Sequence, residues 1–192
     1  GYKVAICEQT EDPKAAKGVV KREVVQLITP GTITEGKTID GKTNHYIASA
    51  EMINTNHLAF AYLDVSTGEA NTQIIEGGVK ECIMQLQSFN IREVIVAPSM
   101  YDEMLELSEA TNIVISIEEQ QMDEVQSAKY VKHLPNTVQA VSRKLLRYIE
   151  KTQMRSLAHL QKFNYIETAK YLRIDTNSKR NLELVQSIRG GD

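Results

Sequence analysis

The 192-residue chain has few cysteines and no long apolar run, and both absences narrow its class. Cys7 and Cys82 are its two cysteines, and their wide separation favours neither a disulfide framework nor a zinc site. Both are predicted to be small buried hydrophobic residues. No apolar run approaches the roughly 18 residues of a membrane span, and no signal peptide is visible. We therefore expect a cytoplasmic protein with no membrane partner.

Basic residues are missing from one long stretch, although the net charge of -3 is close to zero. Residues 93–128 contain nine acidic residues and no Lys or Arg, whereas residues 130–192 contain twelve Lys or Arg against five acidic residues. Acidic surface repels the nucleic-acid backbone, which makes residues 93–128 a poor candidate for binding DNA. The simpler interpretation of each stretch is a solvated face.

Apolar periodicity predicts an opening pair of strands at residues 4–8 and 23–28, followed by a polar linker. Three hairpin-linked strands are then predicted at residues 46–53, 58–65 and 69–75. Helices and strands alternate afterwards, with Ser99 predicted to cap the second helix and Asn136 the third. This order predicts an α/β fold with a mixed five-stranded sheet flanked by helices, which is the ribonuclease H-like arrangement.

Two runs near the start and one near the end resemble a known family: Ala5-Ile6-Cys7-Glu8-Gln9, Thr29-Pro30-Gly31-Thr32 and Leu172-Arg173-Ile174-Asp175. They are similar to the MutS DNA mismatch-repair proteins. The resemblance implies four segments: the tail of a mismatch-binding domain (1–32), a linker (33–44), a ribonuclease H-like connector domain (45–152) and the start of a core or lever domain (153–192). Because the chain opens in mid-strand without an initiator Met, we expect an internal piece of a longer protein.

The resemblance also implies a function. An intact family member recognises mispaired DNA as a dimer, uses ATP and Mg²⁺, and recruits MutL. The connector domain would relay conformational change between the mismatch-binding and ATPase parts and offer part of the MutL docking surface. The fragment itself is expected to be non-catalytic and to hold no cofactor. The acidic residues of the second predicted helix are the candidate partner surface: Asp102, Glu103, Glu106 and Glu109.

Basic residues near the start are candidates for DNA contact through the same resemblance. Lys21 and Arg22 lie where the family's mismatch-binding domain runs near the DNA backbone, and Lys17 is a further basic candidate. Contacts of this kind add salt-sensitive affinity without sequence choice. The Phe-x-Glu element with which the family reads a mismatch lies upstream of this segment, so we do not expect the chain to recognise mismatches alone.

A nucleotide-binding alternative comes from residues 31–38, which match the phosphate-loop pattern of glycine, four residues, glycine, lysine and a hydroxyl residue. A phosphate loop leads into a helix whose N-terminal amides face the phosphate. Here Asp40-Gly41 and Asn44 interrupt the chain where that helix would run. The pattern therefore lacks the sequence context that the chemistry needs.

A metal-dependent nuclease is the other alternative, because the predicted fold is shared with such enzymes. That chemistry needs carboxylates converging on divalent ions, and Glu51, Asp64 and Glu81 are the candidates. The simpler interpretation of Asp64 is a turn-forming residue, acting with Gly68 in the run Asp64-Val65-Ser66-Thr67-Gly68. The four histidines share no metal-ligand spacing.

Overall fold

The structure, a computed structural model, describes residues 3–10, 20–32, 45–153 and 157–167. In chain order the elements are β1 (Val4–Gln9), β2 (Arg22–Ile28), β3 (Tyr46–Asn54), β4 (His57–Asp64), β5 (Ala70–Glu76), α1 (Val79–Ser88), β6 (Glu93–Val96), α2 (Pro98–Ser108), β7 (Val114–Ile117), α3 (Glu124–Val131), α4 (Asn136–Gln153) and β8 (Asn164–Ile166). Lys17, the predicted linker, residues 33–38 of the phosphate-loop pattern and residues 168–192 lie outside the described residues.

The first two strands form an antiparallel hairpin of their own. Its ladder runs from the pair Val4 and Ile28 to the pair Gln9 and Arg22, with an irregularity after Ile6. Every residue of β1 is exposed, and β2 becomes half-buried only towards its end. The hairpin therefore lies outside the main core, and its end approaches the rest of the fold.

The remaining strands form a six-stranded mixed sheet in the order β7-β6-β3-β4-β5-β8. Strand β4 pairs antiparallel with β3 and β5, whereas β6 pairs parallel with β3, β7 with β6, and β8 with β5. The first five strands of this unit have the ribonuclease H-like order that the sequence predicts. Strand β8 is an addition that the sequence did not predict, and it brings residues beyond 152 into the same sheet.

Both faces of this sheet are buried. Its side chains alternate between two cores, one on each face. Along β4, Leu58 and Phe60 face one core and Ala59 and Leu63 face the other. Helices α1 and α2 cover the first face, and α3 and α4 cover the second. Full burial of each large apolar side chain contributes about 1.5–3 kcal/mol, so the two cores account for most of the stability of this unit.

Helix α4 has the apolar stripe predicted from its sequence, with Val138, Val141, Leu145 and Ile149 fully buried. No helix in the described ranges is both long enough and apolar enough to cross a membrane.

The ends of α2 and α3 differ from the sequence prediction. The prediction of Ser99 as a helix cap is wrong: the N-cap lies two residues earlier, at Ala97, and Pro98 is in the first turn. Proline suits that position because its fixed φ is already helical and its missing N–H is not needed there. Helix α3 was not predicted, and Asp123 caps it by accepting hydrogen bonds from the amides of Val125 and Gln126.

Candidate functional site

The outer face of α2 carries the predicted partner residues. Its three acidic side chains and that of Glu109, which caps its C-terminal end, are exposed, whereas Met100 and Met104 are buried against the sheet. Leu105 and Leu107 are 46% and 43% exposed on the same helix, so the outer face mixes carboxylates with apolar surface. Within the described ranges, no ion pair involves any of the four carboxylates: Asp102, Glu103, Glu106 and Glu109. The last two lie near the C-terminal end of the helix, where its dipole disfavours negative charge.

Lys21 and Arg22 lie at the exposed start of β2. The Nζ atom of Lys21 is 2.6 Å from Oε1 of Glu23, and this hydrogen bond and charge raise the pKa of Lys21 above its usual value. Lys21 therefore keeps its charge, but Glu23 neutralises it locally. Arg22 forms no ion pair with any described residue, which makes it the stronger candidate of the two for contact with a phosphate.

Asp64 and Gly68 form the turn between β4 and β5. Oδ1 of Asp64 accepts hydrogen bonds from the amide and hydroxyl of Ser66 at 2.8 and 2.6 Å, and from the amide of Thr67 at 3.3 Å. Gly68 has a φ of 77°, and a side chain there would lie 2.3 Å from the carbonyl oxygen of His159. Asp64 is thus used by the turn, and glycine is needed both for its conformation and for the close approach of the segment before β8.

The three candidate carboxylates of a nuclease do not meet. Glu51 is bound by Lys144 at 3.1 Å, and Glu81 accepts a hydrogen bond from the amide of Gly78 at 2.8 Å. Glu51 and Asp64 lie towards opposite ends of the β3–β4 ladder, about 17 Å apart at the usual rise per residue. In the described part of the chain, no group of three His, Cys, Asp or Glu residues is placed to hold a metal ion.

The two cysteines lie in different surroundings. Cys82 is fully buried on the inner face of α1, and burial raises its pKa to about 12, so its thiol stays protonated near neutral pH. Cys7 is exposed on β1, and the prediction that it is buried is wrong. The apolar run at the start of β1 resembles a core strand, but every residue of β1 is exposed, so none of the described helices covers it.

Sequence reasoning missed a buried polar cluster where the hairpin meets the sheet. Glu93, the first residue of β6, is 0% exposed. Its Oε1 atom accepts hydrogen bonds from the hydroxyls of Ser116 and Tyr148 at 2.6 and 2.7 Å, and its Oε2 atom accepts one from the amide of Gly31 at 2.9 Å. Burial, followed by the nearby charge of Glu93, raises the pKa of Tyr148 well above its usual range. An acidic residue opening an otherwise apolar strand was the available sequence signal.

Two further contacts join the hairpin to α4. The side-chain amide of Gln26 donates to Oε1 of Gln153 at 3.1 Å, and Nζ of Lys3 lies 5.7 Å from the centre of the Tyr148 ring. The latter distance is within the range of a cation–π interaction. The hairpin is therefore attached to the sheet unit by polar contacts at its inner end.

Comparison with protein families gives two matches along the chain. The model for MutS domain I matches residues 1–37, and the model for MutS domain II matches residues 45–161. Together they include the hairpin and almost all of the six-stranded sheet.

Curated relatives match over the whole length. The DNA mismatch repair protein MutS of Lysinibacillus sphaericus is 57% identical over 100% of this chain, and that of Listeria monocytogenes serotype 4b is 43% identical over 99%. The chain spans 22% of the length of each. Among solved structures, the nuclease domain of the large terminase subunit gp2 of bacterial virus Sf6 aligns with a TM-score of 0.35 at 9% identity, covering 66% of each chain.

Proposed function

The chain belongs to the MutS family of DNA mismatch-repair proteins, and from that premise we propose that its role is mechanical and interfacial rather than catalytic. The domain I and domain II matches support a part in mismatch recognition. We propose that the domain II sheet relays conformational change between the mismatch-binding and ATPase parts of the whole protein. The observation that carries this proposal is the polar attachment of the hairpin to β6 and α4.

A relay of this kind needs an element that moves as a unit. The six-stranded sheet is packed on both faces, so a displacement at one edge is passed to the helices as a rigid-body movement and is not absorbed locally. For the whole protein we further propose dimerisation, use of ATP with Mg²⁺, and a cytoplasmic location.

We propose that the outer face of α2 contributes to MutL docking. The four carboxylates have no described ionic partner, and Glu106 and Glu109 oppose the helix dipole, so a basic partner surface would relieve both costs. The half-exposed Leu105 and Leu107 would supply apolar area within the same contact.

The test is charge reversal in the full-length protein. The variant Glu103→Lys with Glu106→Lys should weaken MutL recruitment at least about tenfold, measured by surface plasmon resonance on mismatched DNA with nucleotide. Glu76→Lys, at an exposed position at the end of β5, is the control for charge alone. Unchanged recruitment by the double variant would remove α2 from the docking surface.

We also propose that Arg22 contacts the DNA backbone in the whole protein, with Lys21 and Lys17 as weaker candidates. Arg22→Ala should lower the affinity for mismatched and matched DNA by the same factor and reduce the salt dependence of binding by about one counterion. A loss confined to mismatched DNA would contradict a backbone contact, because such contacts carry no sequence information.

A further inference from the structure

Glu93 is a buried carboxyl group that neither the proposed docking surface nor the proposed DNA contact uses. Among the described residues no Lys, Arg or His forms an ion pair with it. Burying such a group is costly unless its oxygens are hydrogen-bonded. The three donors come from three separate parts of the chain: β7, α4 and the turn that follows β2. The carboxyl group therefore ties the end of the hairpin to the sheet unit.

The two oxygens of Glu93 have different partners. Ser116 and Tyr148, both in the sheet unit, bind Oε1 and fix the orientation of the carboxyl group. That orientation directs Oε2 at the amide of Gly31, which lies beyond the end of the hairpin. The sheet unit thus presents a pre-oriented acceptor to the hairpin segment.

The hairpin segment is shaped to meet this acceptor. Thr29 and Thr32 close a buried turn, in which the amide of Thr29 donates to the Thr32 hydroxyl at 2.9 Å and the amide of Thr32 donates to the Thr29 carbonyl at 3.0 Å. Gly31, between them, has no room for a side chain, because a Cβ atom would lie 2.9 Å from Cβ of Glu93 and from Cγ1 of Ile47. The backbone of the turn is therefore pressed directly onto β3 and β6.

We propose that Glu93 is a positioning residue that latches the hairpin segment onto the sheet, so that the two matched domain segments move as one body. Its biological use rests on the relay proposed above, because a latch at this point would transmit movement of the domain I hairpin into β6 and α4. The latch itself is a property of this chain and is testable without the rest of the protein.

The experiment measures the distance between the two units. Cys7 on β1 is an exposed native labelling site, Cys82 is buried, and Ser88→Cys adds a second exposed site at the end of α1. Spin labels on these two sites of the 192-residue chain give a distance distribution by double electron–electron resonance. We expect a narrow distribution in this labelled background, and a distribution broadened at least about twofold by Glu93→Ala and by Gly31→Ala.

Two variants serve as controls. Glu93→Gln should keep the narrow distribution, because the amide oxygen can accept from Gly31 while its NH₂ group donates to the two hydroxyls. Glu118→Ala removes another buried carboxylate, which is 6% exposed and bound by Lys151, and should leave the distribution unchanged. If losing any buried carboxylate broadened the distribution through a general loss of stability, Glu118→Ala would broaden it as well. If the broadening comes from loss of the latch, Glu118→Ala leaves the distribution narrow.

The outcomes separate the possibilities. A narrow distribution in both Glu93→Ala and Gly31→Ala would overturn the latch, and so would equal broadening in Glu118→Ala. If Glu93→Ala does not fold, as judged by circular dichroism, Gly31→Ala alone decides. Unchanged MutL recruitment in the α2 variant would overturn the proposed docking function and would leave this distance measurement unaffected.

Discussion

The β1–β2 hairpin and the six-stranded sheet have similar strand sequences and very different surroundings. Both contain short runs of apolar and β-branched residues, but β1 is exposed throughout whereas β6 is buried throughout. Helices cover both faces of the six-stranded sheet, and Val4, Ile6 and Val24 of the hairpin remain 52%, 37% and 41% exposed. Strand composition therefore determines whether a segment can pair with another strand, whereas burial depends on which elements pack against that strand.

The largest expected difference between the two regions comes from the same substitution made in each. Ile95→Ala in β6 should lower the free energy of unfolding by about 3 kcal/mol, because it leaves a cavity in a fully packed core. Ile6→Ala in β1 should cost less than about 1 kcal/mol, because part of that side chain already contacts solvent. Urea denaturation followed by circular dichroism measures both. Equal costs would mean that the hairpin is covered as well as the sheet is.

A smaller effect is expected at the turn that closes β4 and β5. Asp64→Ala should lower the free energy of unfolding by about 2 kcal/mol, because Asp64 is buried and four hydrogen-bond donors lose their acceptor. Asp64→Asn keeps one oxygen for those donors and should cost less than half as much. Thermal denaturation of the two variants separates the contribution of the hydrogen bonds in the turn from the contribution of the negative charge. A larger loss in the Asn variant would contradict this interpretation.

A smaller loss of stability is expected when the N-cap of α3 is removed. Helix α3 is one of the helices that cover the sheet, and the hairpin has no such helix among the described residues. Asp123→Ala should cost about 1 kcal/mol, because two N-terminal amides of α3 lose their acceptor. Ser99→Ala is the matched control and should be within about 0.3 kcal/mol of the parent, since Ser99 is not the cap of α2. Urea titration measures both, and a reversed order of costs would restore Ser99 as a cap.

The smallest expected effect concerns the reactivity of the two cysteine thiols, one in the hairpin and one in the sheet unit. At about pH 8, Cys7 should be alkylated rapidly in the folded chain and Cys82 should not, because burial keeps the Cys82 thiol protonated and out of reach. Timed exposure to iodoacetamide, quenched with excess small-molecule thiol and followed by mass spectrometry, measures both rates. Modification of Cys82 at the rate of Cys7 would mean that α1 opens readily.

The same thiol predicts a pH dependence. The folded pKa of Cys82 is raised from 9.0 to about 12, so its contribution to stability is complete below pH 9 and is lost as the pH rises from there towards 12. Cys82→Ala should weaken this alkaline loss of stability in urea titrations at increasing pH. An unchanged alkaline profile would assign the loss to other groups.

Much of this fold could be predicted from the sequence because the patterns that indicate its elements lie within single segments. Three hairpin-linked strands and the stripe of α4 follow from alternation and helical spacing within single segments. Helix α3 was missed because its apolar positions do not form a clear stripe, and Val125 is 85% exposed. Strand β8 has three residues and pairs with β5, which is distant in the chain, so nothing in its own sequence indicates a strand.

The candidate sites also differ in whether their residues are close together in the sequence. The Asp64 turn follows from five consecutive residues, and the exposed carboxylates of α2 follow from one amphipathic helix. Glu93 could not be interpreted from sequence, because its partners Gly31, Ser116 and Tyr148 come from three separate segments. A cluster assembled across the chain has no spacing that a single sequence can display.

The short edge strands of the six-stranded sheet have a consequence for solubility. Its two edges are formed by β7, with four residues, and β8, with three. A long, flat edge invites pairing with a second molecule and is a common route to aggregation. By laying β8 alongside residues 71–73 of β5 after α4, the chain pairs three of the seven residues of that edge and shortens the template for association between copies.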